Sequence, residues 1–133
     1  MLLDALVKHH IVESLDEIDA VGHRVVHGGE DFNDSVVVDE DAVKKVEALA
    51  ELAPLHNIIG YNAFKKALPH AGHVFVFDTA FHQTLDKERY LYPLPLEYYT
   101  DLKVRKYGAH GTSHKYVSQQ AIEMLGNPKE SRI

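Results

Sequence analysis

The sequence predicts an α/β layered fold, and three observations carry that prediction. β-branched segments alternate with segments of helical apolar spacing, glycine and proline punctuate the junctions, and 45% hydrophobic with 26% charged positions is ordinary globular composition. A length of 133 residues supports one modest core, hence one domain or part of one. Leu2, Leu3, Leu6, Val7 and Ile11 recur at three- and four-residue spacing, which predicts an opening helix ended by the acidic stretch Glu13 to Asp19. Ala20 to His27 is rich in β-branched residues and stops at Gly28 and Gly29, a strand running into a turn that needs permissive backbone angles. On that strand Arg24 and Val26 share one face, and His23, Val25 and His27 the other. Ser35 to Val38 reads as a second short strand. Asp39 then caps a helix whose apolar stripe is Ala42, Val43, Val46, Leu49 and Ala50 and which Pro54 closes. The next helix runs from Ile58 to Leu68 and stops at Pro69. His73 to Phe77 is a strand of the buried type that delivers Asp78 at its carboxyl end, where ligands gather in α/β sheets. Pro93 and Pro95 interrupt the next stretch, and Leu102 to Tyr107 reads as a further strand. After the loop Gly108 to Gly111, a final helix takes Thr112 or Ser113 as N-cap. Its apolar positions are Tyr116, Val117, Ala121, Met124 and Leu125, with Gly126 and Pro128 as stop signals.

Fourteen Lys and Arg against twenty Asp and Glu leave a net charge of -6. No sequence-wide basic field is present to condense on a phosphate backbone, so nucleic acid is not an expected partner. The longest apolar runs, such as Val36 to Val38 and Val74 to Phe77, fall far short of the roughly 20 residues of a membrane-spanning helix. Absence of cysteine rules out disulfides and thiolate metal sites and fits a reducing compartment. The first residues lack the charged start and long apolar stretch of a secretory signal. The expectation is a soluble, cytoplasmic protein. The chain finishes at Ser131, Arg132 and Ile133 where another strand could begin, and it reads as the middle of a larger protein.

Ten histidines raise the question of metal binding. The closest local pattern, His110-Gly111-Thr112-Ser113-His114, lacks the glutamate of the helical zinc-protease motif, and His110 precedes the predicted helix. Scattered surface or hydrogen-bonded histidines are the plainer reading. Ser113 beside His114 has no strained elbow sequence around it, so capping accounts for it better than nucleophilic catalysis. Arg24 in an otherwise apolar strand needs an anion, because a desolvated guanidinium is costly. That anion is either a bound carboxylate or phosphate, or a structural partner such as Glu30 or Asp78. Asp78 after a buried strand suits a magnesium ligand or water anchor, or equally a turn or cap. His110 near a helix start can join backbone amides in facing an anion, or sit in solvent. His56, in a loop after Pro54 and Leu55, is weak evidence alone.

Four segments, GHRVVHGGE (Gly22 to Glu30), LAPLHN (Leu52 to Asn57), VFDTAFHQT (Val76 to Thr84) and YGAHGTSHKYVS (Tyr107 to Ser118), closely resemble the acetate kinase family in content, order and separation. The resemblance covers nearly everything from Ala20 to Gln120. It implies the ribonuclease-H-like (actin-like ATPase) fold, a mixed sheet flanked by helices. This chain would be an incomplete, single partial domain over residues 1–133, the central portion of a larger enzyme. It also implies a cytoplasmic homodimeric enzyme that interconverts acetate plus ATP with acetyl phosphate plus ADP, using Mg2+. Carried over by position, Arg24 matches the arginine that binds the substrate carboxylate. Val26 and Leu55 match residues around the acetate methyl, and His56 matches a histidine near the transferring phosphoryl group. Asp78 matches the catalytic aspartate, with magnesium reached through water, and His110 matches the transition-state histidine. The chemistry agrees, since phosphoryl transfer needs positioning and donors around the equatorial oxygens, and a carboxylate nucleophile is already ionised at neutral pH.

Three departures stand out. Ala109 occupies the place of a usual phenylalanine, which would leave a wider acyl pocket. Ile58 follows LAPLHN where proline is usual. The family's N-terminal phosphate segment, its downstream nucleotide loops and a further transition-state arginine are not in these residues, and no G-x-x-x-x-G-K-S/T loop replaces them. Two other readings stand beside acetate kinase: a kinase of propionate or another short acid, and a non-catalytic remnant of the family.

Overall fold

One mixed sheet of three strands organises the computed structural model, which describes residues 2–49 and 58–132. Strand β1 (Ala20–Val25) runs parallel to β3 (Gly72–Phe77), with Ala20 opposite Gly72 and Val25 opposite Phe77. The short β2 (Val36–Val37) pairs antiparallel with the other edge of β3. The ladder between β1 and β3 continues one step further, because the Asp78 amide donates to the Val25 carbonyl at 3.0 Å.

Side-chain alternation sends His23, Val25, His73, Phe75 and Phe77 to one face of this sheet, where they are buried. That face is covered by two amphipathic helices, α2 (Glu40–Ala48) and α3 (Ile59–Ala67), through Ala42, Val46 and Tyr61. Phe32 completes the core by stacking on Phe77 with ring centroids 4.2 Å apart. Asp39 caps α2 as its sequence position predicts, accepting from the Ala42 amide at 2.7 Å. Helix α2 is already finished at Ala48. The expected stripe residue Ala50 and the expected stop at Pro54 lie outside the described residues, as do Leu55, His56 and Asn57.

Two histidines are built into this core. His23 and His73 share a hydrogen bond of 2.8 Å between Nε2 and Nδ1, their rings nearly parallel at 5.1 Å. Tyr61, Phe64 and Phe75 pack edge-on around His23. Burial, and after it the neighbouring His73, lowers the pKa of His23 below the ordinary histidine value.

Several expectations are corrected. The opening helix, α1 (Leu2–Lys8), ends before Ile11, with His10 in the left-handed region at φ 53°. Strand β1 stops at Val25 rather than His27, and Gly29 turns the chain at φ 58°. The strand expected over Leu102 to Tyr107 does not form. Helices α4 (Lys87–Tyr90) and α5 (Glu97–Thr100) lead instead into an irregular segment. Lys103 has φ 56°, which breaks an extended run. Arg105 turns inward, stacks 3.6 Å over the Tyr90 ring and donates to Glu30 at 2.9 Å. The final helix, α6 (Gly111–Met124), starts earlier than predicted, with His110 rather than Thr112 or Ser113 at its N-cap. Tyr116, Val117, Met124 and Leu125 are exposed rather than core-facing, because Gly111 is the buried residue of α6 and the core occupies the face covered by α2 and α3.

Candidate functional site

Arg24 lies on the outward face of β1, opposite Val76 in register, two residues short of the point where Asp78 emerges from β3. From there its guanidinium reaches Asp78 as a fork. Nε donates to one carboxylate oxygen at 2.9 Å and Nη2 to the other at 2.6 Å. The two partners differ sharply in exposure, 64% for the Arg24 side chain and 4% for that of Asp78. Arg24 is therefore not the desolvated cation that the apolar strand suggested. Alternation gives its face correctly, but that face of β1 is open. Hydrogen bonding to Asp78, then its charge, raises the Arg24 pKa further above its already high value. Glu30, the other partner considered, goes elsewhere and accepts from Tyr99 Oη at 2.8 Å and from Arg105. Burial pushes the Glu30 carboxyl up, but these donors and the charges of Arg105 and Lys103 outweigh it and hold the group below the usual carboxylate range.

The Asp78 backbone is tied on both sides. Its amide bonds Val25, and its carbonyl accepts from the Gly111 amide at 2.8 Å. That second bond brings the start of α6 to the end of β3. It also explains Gly111, since a Cβ there would collide with the Asp78 carbonyl and press on Phe81. His110, one residue earlier, adopts φ 55° and ψ 27° and has no side-chain cap bond. Together Arg24, Asp78, His110, Thr112, Ser113 and Tyr116 line an open recess of about 360 Å³.

Three of the predicted site residues, Arg24, Asp78 and His110, thus meet around one recess although they come from three separate segments. Val26 is half-buried beyond the end of β1 and does not line it. Leu55 and His56 fall outside the described residues. The recess adds Thr112, Ser113 and Tyr116, which the sequence reading assigned to capping and to the core. A guanidinium, a histidine and the first turn of a 14-residue helix, which no side chain caps, facing one space suit an anion with several oxygens. The donor set suits a metal less well. Among the described residues no group of three or more His, Asp or Glu side chains comes together, and both Asp78 oxygens are held by Arg24. Among the described residues no helix is long and apolar enough to cross a membrane.

The profile of the Acetokinase family matches residues 1–133. The acetate kinase of Geobacillus kaustophilus (strain HTA426) is 58% identical across 98% of this chain and 34% of its own length. Acetate kinase 1 of Listeria monocytogenes serovar 1/2a is 57% identical over the same shares. Among solved structures, acetate kinase from Porphyromonas gingivalis superposes with TM-score 0.89 and 48% identity, covering 96% of this chain and 33% of that one. A propionate kinase from Francisella tularensis gives 0.86 and 47%, covering 95% and 33%. The chain spans about a third of the length of the curated relatives it matches. Its mixed sheet and flanking helices are the corresponding part of the actin-like ATPase fold.

Proposed function

The chain belongs to the acetokinase family, and from that premise we propose that it supplies the acyl-substrate side of an enzyme that phosphorylates acetate with ATP. The observation that carries this reading is the meeting of Arg24, Asp78 and His110 around one recess. Asp78 holds the Arg24 guanidinium in a fixed plane through two of its five N–H groups. Donors on the rest of the guanidinium then orient the acetate carboxylate. Acetate is ionised at neutral pH and needs no base, so alignment is the larger part of what the protein provides. One carboxylate oxygen attacks the γ-phosphorus, the bond from that phosphorus to the β,γ-bridging oxygen breaks, and ADP leaves with the electron pair. His110 and the first turn of α6 donate to the phosphoryl oxygens as charge spreads over them. His56 is assigned a second donor role, and Val26 and Leu55 the surroundings of the methyl group, on family position alone.

In this reading residues 1–133 form a single partial domain, the central portion of a longer, homodimeric cytoplasmic enzyme whose other segments hold ATP. Magnesium enters as the counter-ion of ATP. Asp78 is given no direct bond to it, because its oxygens are already engaged by Arg24. A second acceptor, propionate, is considered on family position alone: Ala109, which is not among the residues lining the recess, stands before His110 where a phenylalanine is usual.

The test is a chimera in which this chain replaces the matching third of the Geobacillus kaustophilus enzyme. Acetyl phosphate formation that requires both ATP and acetate is expected. A folded, ATP-binding chimera without transfer would overturn the reading.

A further inference from the structure

The motifs VFDTAFHQT and YGAHGTSHKYVS are folded against each other at a point away from the recess. His82 lies in the 3-10 helix Ala80–Thr84 that follows Asp78. Its Nε2 is 2.9 Å from the Ala109 carbonyl. A carbonyl oxygen only accepts, so Nε2 carries the proton. The same imidazole occupies the space into which a Gly108 side chain would project, and Gly108 has φ 77°. On the far side of the turn, Phe81 and the Asp78 carbonyl close in on Gly111 in the same way. The His82 ring also meets the His114 ring edge-on at 5.7 Å. The turn that carries His110 is therefore gripped at both ends by consecutive residues, Phe81 and His82.

His110 needs that grip. A non-glycine residue at φ 55° is in a region that a Cβ disfavours, and no side-chain cap bond helps to hold it there. We propose that His82 is a positioning residue, whose bond to the Ala109 carbonyl and packing on Gly108 fix the left-handed turn that aims His110 into the recess. His82 does not line the recess itself, so it acts through His110 and not on substrate. The packing also accounts for both glycines of the turn: His82 fills the place a Gly108 side chain would take, and the Asp78 carbonyl, with Phe81 beside it, fills that of Gly111. The kinetic consequence rests on the phosphoryl-transfer reading, whereas the structural one does not.

The experiment uses His82→Ala and His82→Gln, the second retaining an N–H donor that can reach the carbonyl. In the 133-residue chain, ring nitrogen and proton signals of His110, assigned with His110→Gln, are expected to shift in His82→Ala and to return toward the original in His82→Gln. In the chimera, His82→Ala is expected to lower kcat by about 10-fold or more while the KM for acetate stays within about two-fold, with partial recovery in His82→Gln. Unmoved His110 signals in His82→Ala, or a glutamine variant no better than alanine, would overturn the proposal. If the unsubstituted chimera makes no acetyl phosphate, the phosphoryl-transfer reading fails, and the ring signals still decide the role of His82.

Discussion

Arg24 holds both oxygens of Asp78, at 2.9 and 2.6 Å, across the ends of two parallel strands, and the pair is buried on the Asp78 side alone. That asymmetry sets what each loss does. Arg24→Ala leaves a desolvated carboxylate without its counter-charge, whereas Asp78→Asn leaves a guanidinium that water already reaches. The urea midpoint of the chain is therefore expected to fall further for Arg24→Ala than for Asp78→Asn. The reverse order would mean that the pair is not the reason for the position of Asp78.

His110 tests the transition-state side. In the chimera His110→Ala is expected to lower kcat by about 100-fold or more with little change in the KM for ATP, the pattern of a donor used mainly in the transition state. A loss seen only in folding stability would remove His110 from the chemistry.

Burial of His23 and His27 makes the fold sensitive to mild acid. His23 and His27 both have pKa values lowered by burial, with His73 adding to the effect at His23. In the unfolded chain these groups bind protons near the ordinary value of 6.5, while the folded chain resists protonation. Their stabilising contribution is thus complete above pH 6.5 and is lost as the pH falls from there through the lowered folded values. Urea unfolding at successive pH values should show this decline, and the double variant His23→Leu/His73→Leu should reduce it to the part that His27 contributes. A decline unchanged in the double variant would place its origin elsewhere.

Ala109→Phe tests acceptor choice. A methylene in a hydrophobic pocket is worth about 1–3 kcal/mol, so Ala109→Phe in the chimera is expected to move the acetate-to-propionate ratio of kcat/KM toward acetate by about 10-fold. An unchanged ratio would show that position 109 does not shape the acyl side.

Much of this arrangement is legible in the sequence because it depends on local periodicity. Alternation places Arg24 opposite to His23 and Val25, and the apolar run of β3 delivers Asp78 at its end. What alternation does not reveal is whether the second face of a sheet is covered, and so Arg24 is exposed where its strand suggested burial. The irregular segment at Leu102 to Tyr107 was illegible for a related reason. Lys103, Val104 and Arg105 alternate like a strand, but Arg105 is turned inward by Glu30 and Tyr90, partners distant in sequence. The left-handed turn at His110 has only a weak signal in its own residue type, histidine being one of the few non-glycine residues enriched there. Its nearest sequence trace is the flanking pair Gly108 and Gly111, meaningful only once Phe81 and His82 are seen packed against them.

The central claim is that the Arg24 fork orients a carboxylate acceptor, and the acetate kinetics of the chimera with Arg24→Ala test it most directly. A higher KM for acetate and a lower kcat are predicted, together reducing kcat/KM for acetate by about 100-fold, with the KM for ATP within about two-fold of the parent. Acetate kinetics that match the parent in a folded Arg24→Ala chimera would contradict the claim.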